Sequence, residues 1–279
     1  MRPARVTGAV TAVDKGHGMR VGDVTPVVLV AHGSRDPRAA ATTRELIRAI
    51  AAIRPHVPVH ASYLDHTLPH PTQLLSALQA EGHQRVTVVP LLLTDAFHGR
   101  VDIPKALDAA RRDGLRMAVT MTDVLGPGAG EEVDERLLAG LRRRLAEAST
   151  GWDAVVLAAA GTRDAAARGT VERVAAAISA AWGVPCRVAY ASAAPPTPGA
   201  AVAGVRAARA RRGALGGHFL APGPLYQGGA PSARGAGGGR PAGPLGDAEE
   251  LARLVLARVD AANAAGVAEG TRPAAASAR

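Results

Sequence analysis

Short, wholly apolar runs alternate along the chain with longer stretches in which apolar residues recur every three or four positions. The first run is "VVLVA" at 27–31, and a helical pattern, "PRAAATTRELIRAIAAI", follows it. Next come "VPVHASYL", helical "PTQLLSALQAEG", "RVTVVPLLL" at 85–93, "MAVTMT" at 117–122 and a helix over 130–148. Runs this short and this apolar fit strands buried on both faces, and the stretches between them have the length of crossover helices. The alternation predicts a doubly wound α/β fold with parallel sheets.

The pattern then restarts with "DAVVLAAAG", "AARGTVERVAAAISAAW", "PCRVAYAS", "TPGAAVAGVRAARARRG", "ALGGHFLAPG" and "GDAEELARLVLARVDAANA". The loop "AHGSRDP" at 31–37 has a near copy, "AAGTRDA", at 159–165, with Ala160 in the place of His32. "LLLTDAFHGR" aligns without a gap on "FLAPGPLYQG", which sets Tyr226 against His98. Repetition in order and spacing points to duplication and fusion of one unit. The expected organisation is a flexible leader over 1–25, with Met19 as an alternative start, one domain over 26–149, a second over 150–263 and a disordered tail over 264–279. The Gly-rich segment 227–243 reads as a mobile loop replacing the helix that follows His98 in the first half.

In an open parallel sheet, ligands bind where strands end. His32 follows the first strand, Asp65 the second and His98 the third, so three strand ends deliver His, Asp and His to one edge. Two imidazoles and a carboxylate suit a divalent transition metal with open positions, and a neutral imidazole also accepts protons at neutral pH. The other histidines read as structural or solvent-facing, with His66 and His70 intermediate because they share a loop with Asp65.

Composition narrows the classes. The only cysteine, Cys186, excludes an intrachain disulfide and a multi-cysteine metal site within one chain. The net charge of +9 comes from arginines scattered among alanines and acids, without the compact basic tract and interleaved aromatics of a nucleic-acid surface. It suits a small polyanion instead, since arginine pairs carboxylates bidentately. No run approaches a membrane span, and the expected setting is the cytoplasm. There is no Walker or dinucleotide fingerprint, so no nucleotide is expected, and Ala31 stands where a histidine phosphatase would carry Arg before His-Gly.

"LVAHGSRDPRA", "YLDHTLPHP" and "VVPLLLTDAFHGRVDIP" together closely resemble the sirohydrochlorin chelatases, ATP-independent enzymes of the class II chelatase family. The resemblance covers residues 26–262. It implies two chelatase-like domains facing each other across a cleft, and insertion of Fe2+ or Co2+ into sirohydrochlorin in siroheme or cobalamin biosynthesis. It further implies that His32 and His98 bind metal and take part in metallation, with Asp65 assisting. The substrate's carboxylates call for arginines, and Arg35, Arg100 and Arg163 adjoin the motif loops. Low aromatic content speaks against extensive ring stacking. Small members of the family dimerise to form their cleft, so a chain holding both halves is expected to be a monomer with one asymmetric site. The alternative is a protein that binds or delivers metal or tetrapyrrole without catalysing, with a phosphate-ester hydrolase behind it.

Overall fold

The computed structural model describes residues 24–94, 101–128 and 130–270. Its elements run β1 (Val27–Ala31), α1 (Pro37–Ile53), β2 (Val59–Tyr63), α2 (Pro71–Ala80), β3 (Arg85–Pro90), α3 (Ile103–Arg112), β4 (Ala118–Met121), α4 (Glu135–Ala148), β5 (Ala154–Ala159), α5 (Ala165–Trp182), β6 (Cys186–Tyr190), α6 (Pro198–Ala207), β7 (Gly213–His218), α7 (Pro224–Gly235) and α8 (Glu249–Gly270). Two parallel sheets form, ordered β2-β1-β3-β4 and β6-β5-β7. In each, the first strand of the half is flanked by the next two, and β1 and β5 are almost wholly buried. The α/β class with parallel sheets is as the alternation of patterns indicates.

The repeat is visible at the level of single bonds. Asp36 caps α1 by accepting from the Arg38 N–H at 3.0 Å, and Asp164 caps α5 by accepting from the Ala166 N–H at 2.9 Å. The Ser34 hydroxyl accepts from the Asp36 N–H and the Thr162 hydroxyl from the Asp164 N–H, both at 3.1 Å. Capping of this kind satisfies donors that the first helical turn leaves unpaired. Gly33 and Gly161 both hold positive φ, and an added Cβ would strike the carbonyl oxygens of Asp65 and Ser192 respectively. The shared Gly-hydroxyl-Arg-Asp string is therefore turn and cap chemistry, with Ser192 the counterpart of Asp65.

The gap-free alignment of the third motif does not hold in the sheets. Val30 pairs with Pro90, 90 − 30 = 60 residues on, whereas Ala158 pairs with Gly217, 217 − 158 = 59 residues on. The ladder beyond agrees, since the Leu125 N–H donates to the Leu92 carbonyl and the Leu245 N–H to the Phe219 carbonyl. Phe219 therefore corresponds to Leu92, and His218 to Leu91. Side chains alternate in a strand, so a one-residue slip exchanges the two faces, a distinction that chain spacing cannot register.

Three further expectations change. The Gly-rich segment is not loop throughout, because α7 occupies 224–235 despite Pro231. The C-terminal helix passes residue 264 and ends at Gly270, while 271–279 and the 1–23 part of the leader lie outside the described residues. The helix expected from 130 begins at Glu135, where the Asp134 carboxylate accepts from the Arg136 N–H.

The halves also exchange helices. The last helix, α8, packs on α1, β3 and β4, and α4 packs on β7. Arg54 and Asp260 join α1 to α8 through two bonds of 2.6 and 2.9 Å. One core runs from Val27 and Leu29 in β1 through Leu254 and Val255 in α8 to Val155 and Leu157 in β5. The expected boundary near residue 150 falls between α4 and β5, and the hydrophobic core continues across it.

Candidate functional site

The carboxyl ends of β1 and β2 and the segment after β7 enclose a cleft of about 570 Å3. From the first half come Ala31, His32, Ser34 and Arg35, with Tyr63, His66 and Leu91 beside them. Opposite stand Ala160 and the run from Phe219 to Tyr226. The two copies of the opening loop thus face one space, with an imidazole on one side and a methyl group on the other. Leucine, proline and aromatic side chains are prominent in the walls, and the polar lining groups Ser34, Arg35, Thr42, Thr43 and His66 come, like His32, from the first half.

A second cavity, of about 400 Å3, lies beyond His32 and is lined by Leu64, Asp65, His70, Asp102, Lys105 and Ala106 as well. Among the described residues His32 is the one lining both spaces. This follows from the local chain path. His32 is the first residue past β1, Gly33 turns sharply there, and the Asp65 N–H donates to the His32 carbonyl at 2.8 Å. That bond fixes the end of β2 against the end of β1 and sets Asp65 beside His32.

The expected site residues separate as follows. His32 and Asp65 are exposed and line the polar cavity together. Arg35 is exposed and lines the apolar cleft. Arg163 is exposed on the counterpart loop and is not among the cleft's lining residues. His98 and Arg100 lie outside the described residues. Among the described residues no three His, Cys, Asp or Glu side chains group closely enough to hold a metal ion, and the expected set of three includes His98.

Neighbouring histidines have distinct roles. The His66 ring stands 3.3 Å from the Asp65 carboxylate, with its backbone at φ 61°. Its place on the cleft wall could be suspected from "LDH" but not decided, because left-handed backbone sends the side chain off the strand's alternation. His70 caps α2, its Nδ1 accepting from the Thr72 N–H and its own N–H donating to Gln73 Oε1, a capping box with histidine in the usual serine position. His218 is buried at the end of β7, and burial pushes its imidazole down to about 4. Cys186, similarly, is shielded enough that burial pushes its thiol up to about 12, which leaves it an inert small hydrophobe.

On the far wall the Tyr226 hydroxyl donates to the Ala242 carbonyl at 2.9 Å, and its ring meets Phe219 edge-on with centroids 5.6 Å apart. Sequence reading identifies Tyr226 only as a missing histidine and does not find the aromatic wall. The signal available is the clustering of two of the chain's few aromatic residues within "FLAPGPLY". Among the described residues no helix is long and apolar enough to cross a membrane.

Comparison with known proteins places a family match on the half bearing His32 and a fold match over most of the chain. The CbiX family model matches residues 26–148. A sirohydrochlorin cobaltochelatase of Priestia megaterium is 33% identical over 97 residues, covering 34% of this chain and 29% of that protein. A sirohydrochlorin cobaltochelatase of Methanococcoides burtonii is 28% identical over 81 residues, covering 29% of this chain and 62% of that protein. The chain thus spans less than two thirds of the length of either curated relative. Among solved structures, SirB from Bacillus subtilis with Fe3+ superposes with a TM-score of 0.73 at 20% identity, over 87% of this chain and 98% of that one. SirB in complex with cobalt gives a TM-score of 0.70 at 20% identity, over 89% and 98%. At that identity the likeness is one of fold.

Proposed function

Taking as premise that this chain belongs, through residues 26–148, to the sirohydrochlorin chelatase family that the CbiX model describes, we propose that it inserts a divalent metal, Fe2+ or Co2+, into sirohydrochlorin. The observation that carries the reading is the position of His32 between an apolar cleft and a polar cavity. A flat macrocycle matches the first space and a hydrated cation the second, so the imidazole stands where the two substrates have to meet.

The chemistry asks for little more than that placement. Metal insertion replaces two pyrrole N–H protons with M2+, and both protons must leave. Neutral imidazole holds a borderline cation through one ring nitrogen or accepts a proton there, and exposure lets His32 pass that proton to water. Asp65 adds a carboxylate on the cation's side, favouring desolvation of the metal in steps. His98 is the proposed second imidazole. Arg35 is placed to pair a substrate carboxylate at the cleft, and Arg100 and Arg163 are the further proposed partners of that kind.

The reading also comprises a monomeric, cytoplasmic enzyme whose two repeats, divided near residue 150, form one cleft, with no nucleotide, nucleic-acid or membrane partner. Purified protein mixed with sirohydrochlorin and Fe2+ or Co2+, followed by absorbance, tests it. Turnover above the spontaneous rate that falls in His32→Ala supports the proposal. Stoichiometric binding of metal or tetrapyrrole without turnover would instead make the protein a carrier.

A further inference from the structure

We propose that Tyr226 is the positioning residue on which the macrocycle's face rests, across the cleft from His32. This rests on the functional reading above and assigns a ligand-contacting role to the half that lacks the imidazole.

The chain has two Phe, three Tyr and two Trp, yet Tyr63, Phe219 and Tyr226 all line this one cleft. Trp152 and Trp182 pair with each other elsewhere, Tyr190 is buried, and Phe97 lies outside the described residues; Tyr63 is itself buried, so the ring surface facing the cleft is chiefly that of Phe219 and Tyr226. A fold with so little aromatic surface has placed much of it where a conjugated ligand is expected.

Tyr226 is fixed at three points. Its hydroxyl is tied to the Ala242 carbonyl, and the Phe219 ring supports it at an interplanar angle of 75°. Below it lies Gly217, where a Cβ would come within 3.3 Å of the Tyr226 Cε2. An alanine there would press on the ring, so the glycine makes room for it on the sheet. A ring fixed before binding loses little conformational freedom when a ligand arrives.

The two halves differ in the open space they leave beside the cleft. In the first half the polar cavity beside His32 measures about 400 Å3. In the second half the space beside α6 and α7 is only about 10 Å3, and Tyr226 is part of its lining. Tyr226 therefore helps fill an apolar space of the second half and lines the apolar cleft with the same ring. One side of the molecule keeps an opening suited to a cation, while the other offers a closed aromatic surface. Such a surface favours flat conjugated rings through offset or edge contacts.

The test compares wild type with Tyr226→Phe, Tyr226→Leu and Tyr226→Ala. Metal-free sirohydrochlorin is titrated by absorbance, and steady-state insertion of Co2+ gives separate KM values for tetrapyrrole and metal. Tyr226→Phe keeps the ring and should bind within about twofold of wild type. Loss of the ring in Tyr226→Ala should weaken tetrapyrrole binding by roughly tenfold and leave the metal KM unchanged. Tyr226→Leu preserves apolar volume; with its melting temperature close to wild type it should show the same tetrapyrrole defect, which separates a ligand contact from a packing role. Equal tetrapyrrole affinity in wild type and Tyr226→Leu overturns the inference, as does a defect confined to the metal KM. Failure of the wild type to bind sirohydrochlorin would reject the functional reading itself, a distinct result.

Discussion

Gly33 shows how much a single residue of the "HGS" loop has to do. Its φ is 94°, and an added Cβ would overlap the Asp65 carbonyl. Gly33→Ala should therefore destabilise the protein by about 2 kcal/mol and push the β2 loop away from His32, which a thermal melt and a loss of insertion activity would register together. His218 behaves oppositely, contributing to stability only while neutral. It is fully buried, its Nε2 has no partner among the described residues, and burial pushes it down to about 4. In the unfolded chain the imidazole titrates near 6.5, so below that pH the unfolded state binds the extra proton. Stability is fully present above about 6.5 and declines as pH falls toward 4, by on the order of 1 kcal/mol per pH unit at most. Denaturant unfolding of His218→Leu, which restores the residue type of its counterpart Leu91, should show a flatter dependence over this window.

At the level of elements, periodicity was sufficient wherever one physical cause acts alone. The β1 and α1 boundaries coincide with those in the pattern, because continuous apolarity specifies the strand and Asp36-Pro37 specifies the helix start. It was insufficient where tertiary contacts decide. Glycine and an internal proline speak against α7 in isolation, yet Ala233 is buried there among Ala201 and Val202 of α6. The slip between β3 and β7 is equally silent in spacing, since it shows only in which strand residues pair. Of the candidate site, the placement of His32 and Asp65 beside one cavity was legible because they stand at strand ends. His66 and Tyr226, which also line the cleft, were not, the first because its backbone is left-handed, the second because it meets the cleft from the opposite half. The C-terminal helix offers a direct check of element exchange. Truncation after Ala248 removes α8, including Leu251, Leu254 and Val255 from the shared core; losing several buried side chains at about 2–5 kcal/mol each should leave a protein without cooperative unfolding by circular dichroism.

For the whole molecule, the two repeats share one hydrophobic core and pack helices on each other's sheets. With α8 on the first sheet and α4 against the second, the fragments 24–149 and 150–270 should each be poorly folded alone, and the intact chain should melt in a single transition by calorimetry. Two separate transitions would contradict the shared core. The candidate site is asymmetric in the same way: the first repeat has His32 and an open cavity beside it, and the second lines the cleft with Ala160, Tyr226 and an apolar wall. Under the proposed function, metal and macrocycle meet at His32. This is tested most directly by the initial rate of Co2+ insertion into sirohydrochlorin, measured for wild type and for a folded His32→Ala variant at saturating tetrapyrrole. A fall of about a hundredfold or more is expected, to near the spontaneous rate, with tetrapyrrole affinity retained. Equal rates for the two proteins would contradict it.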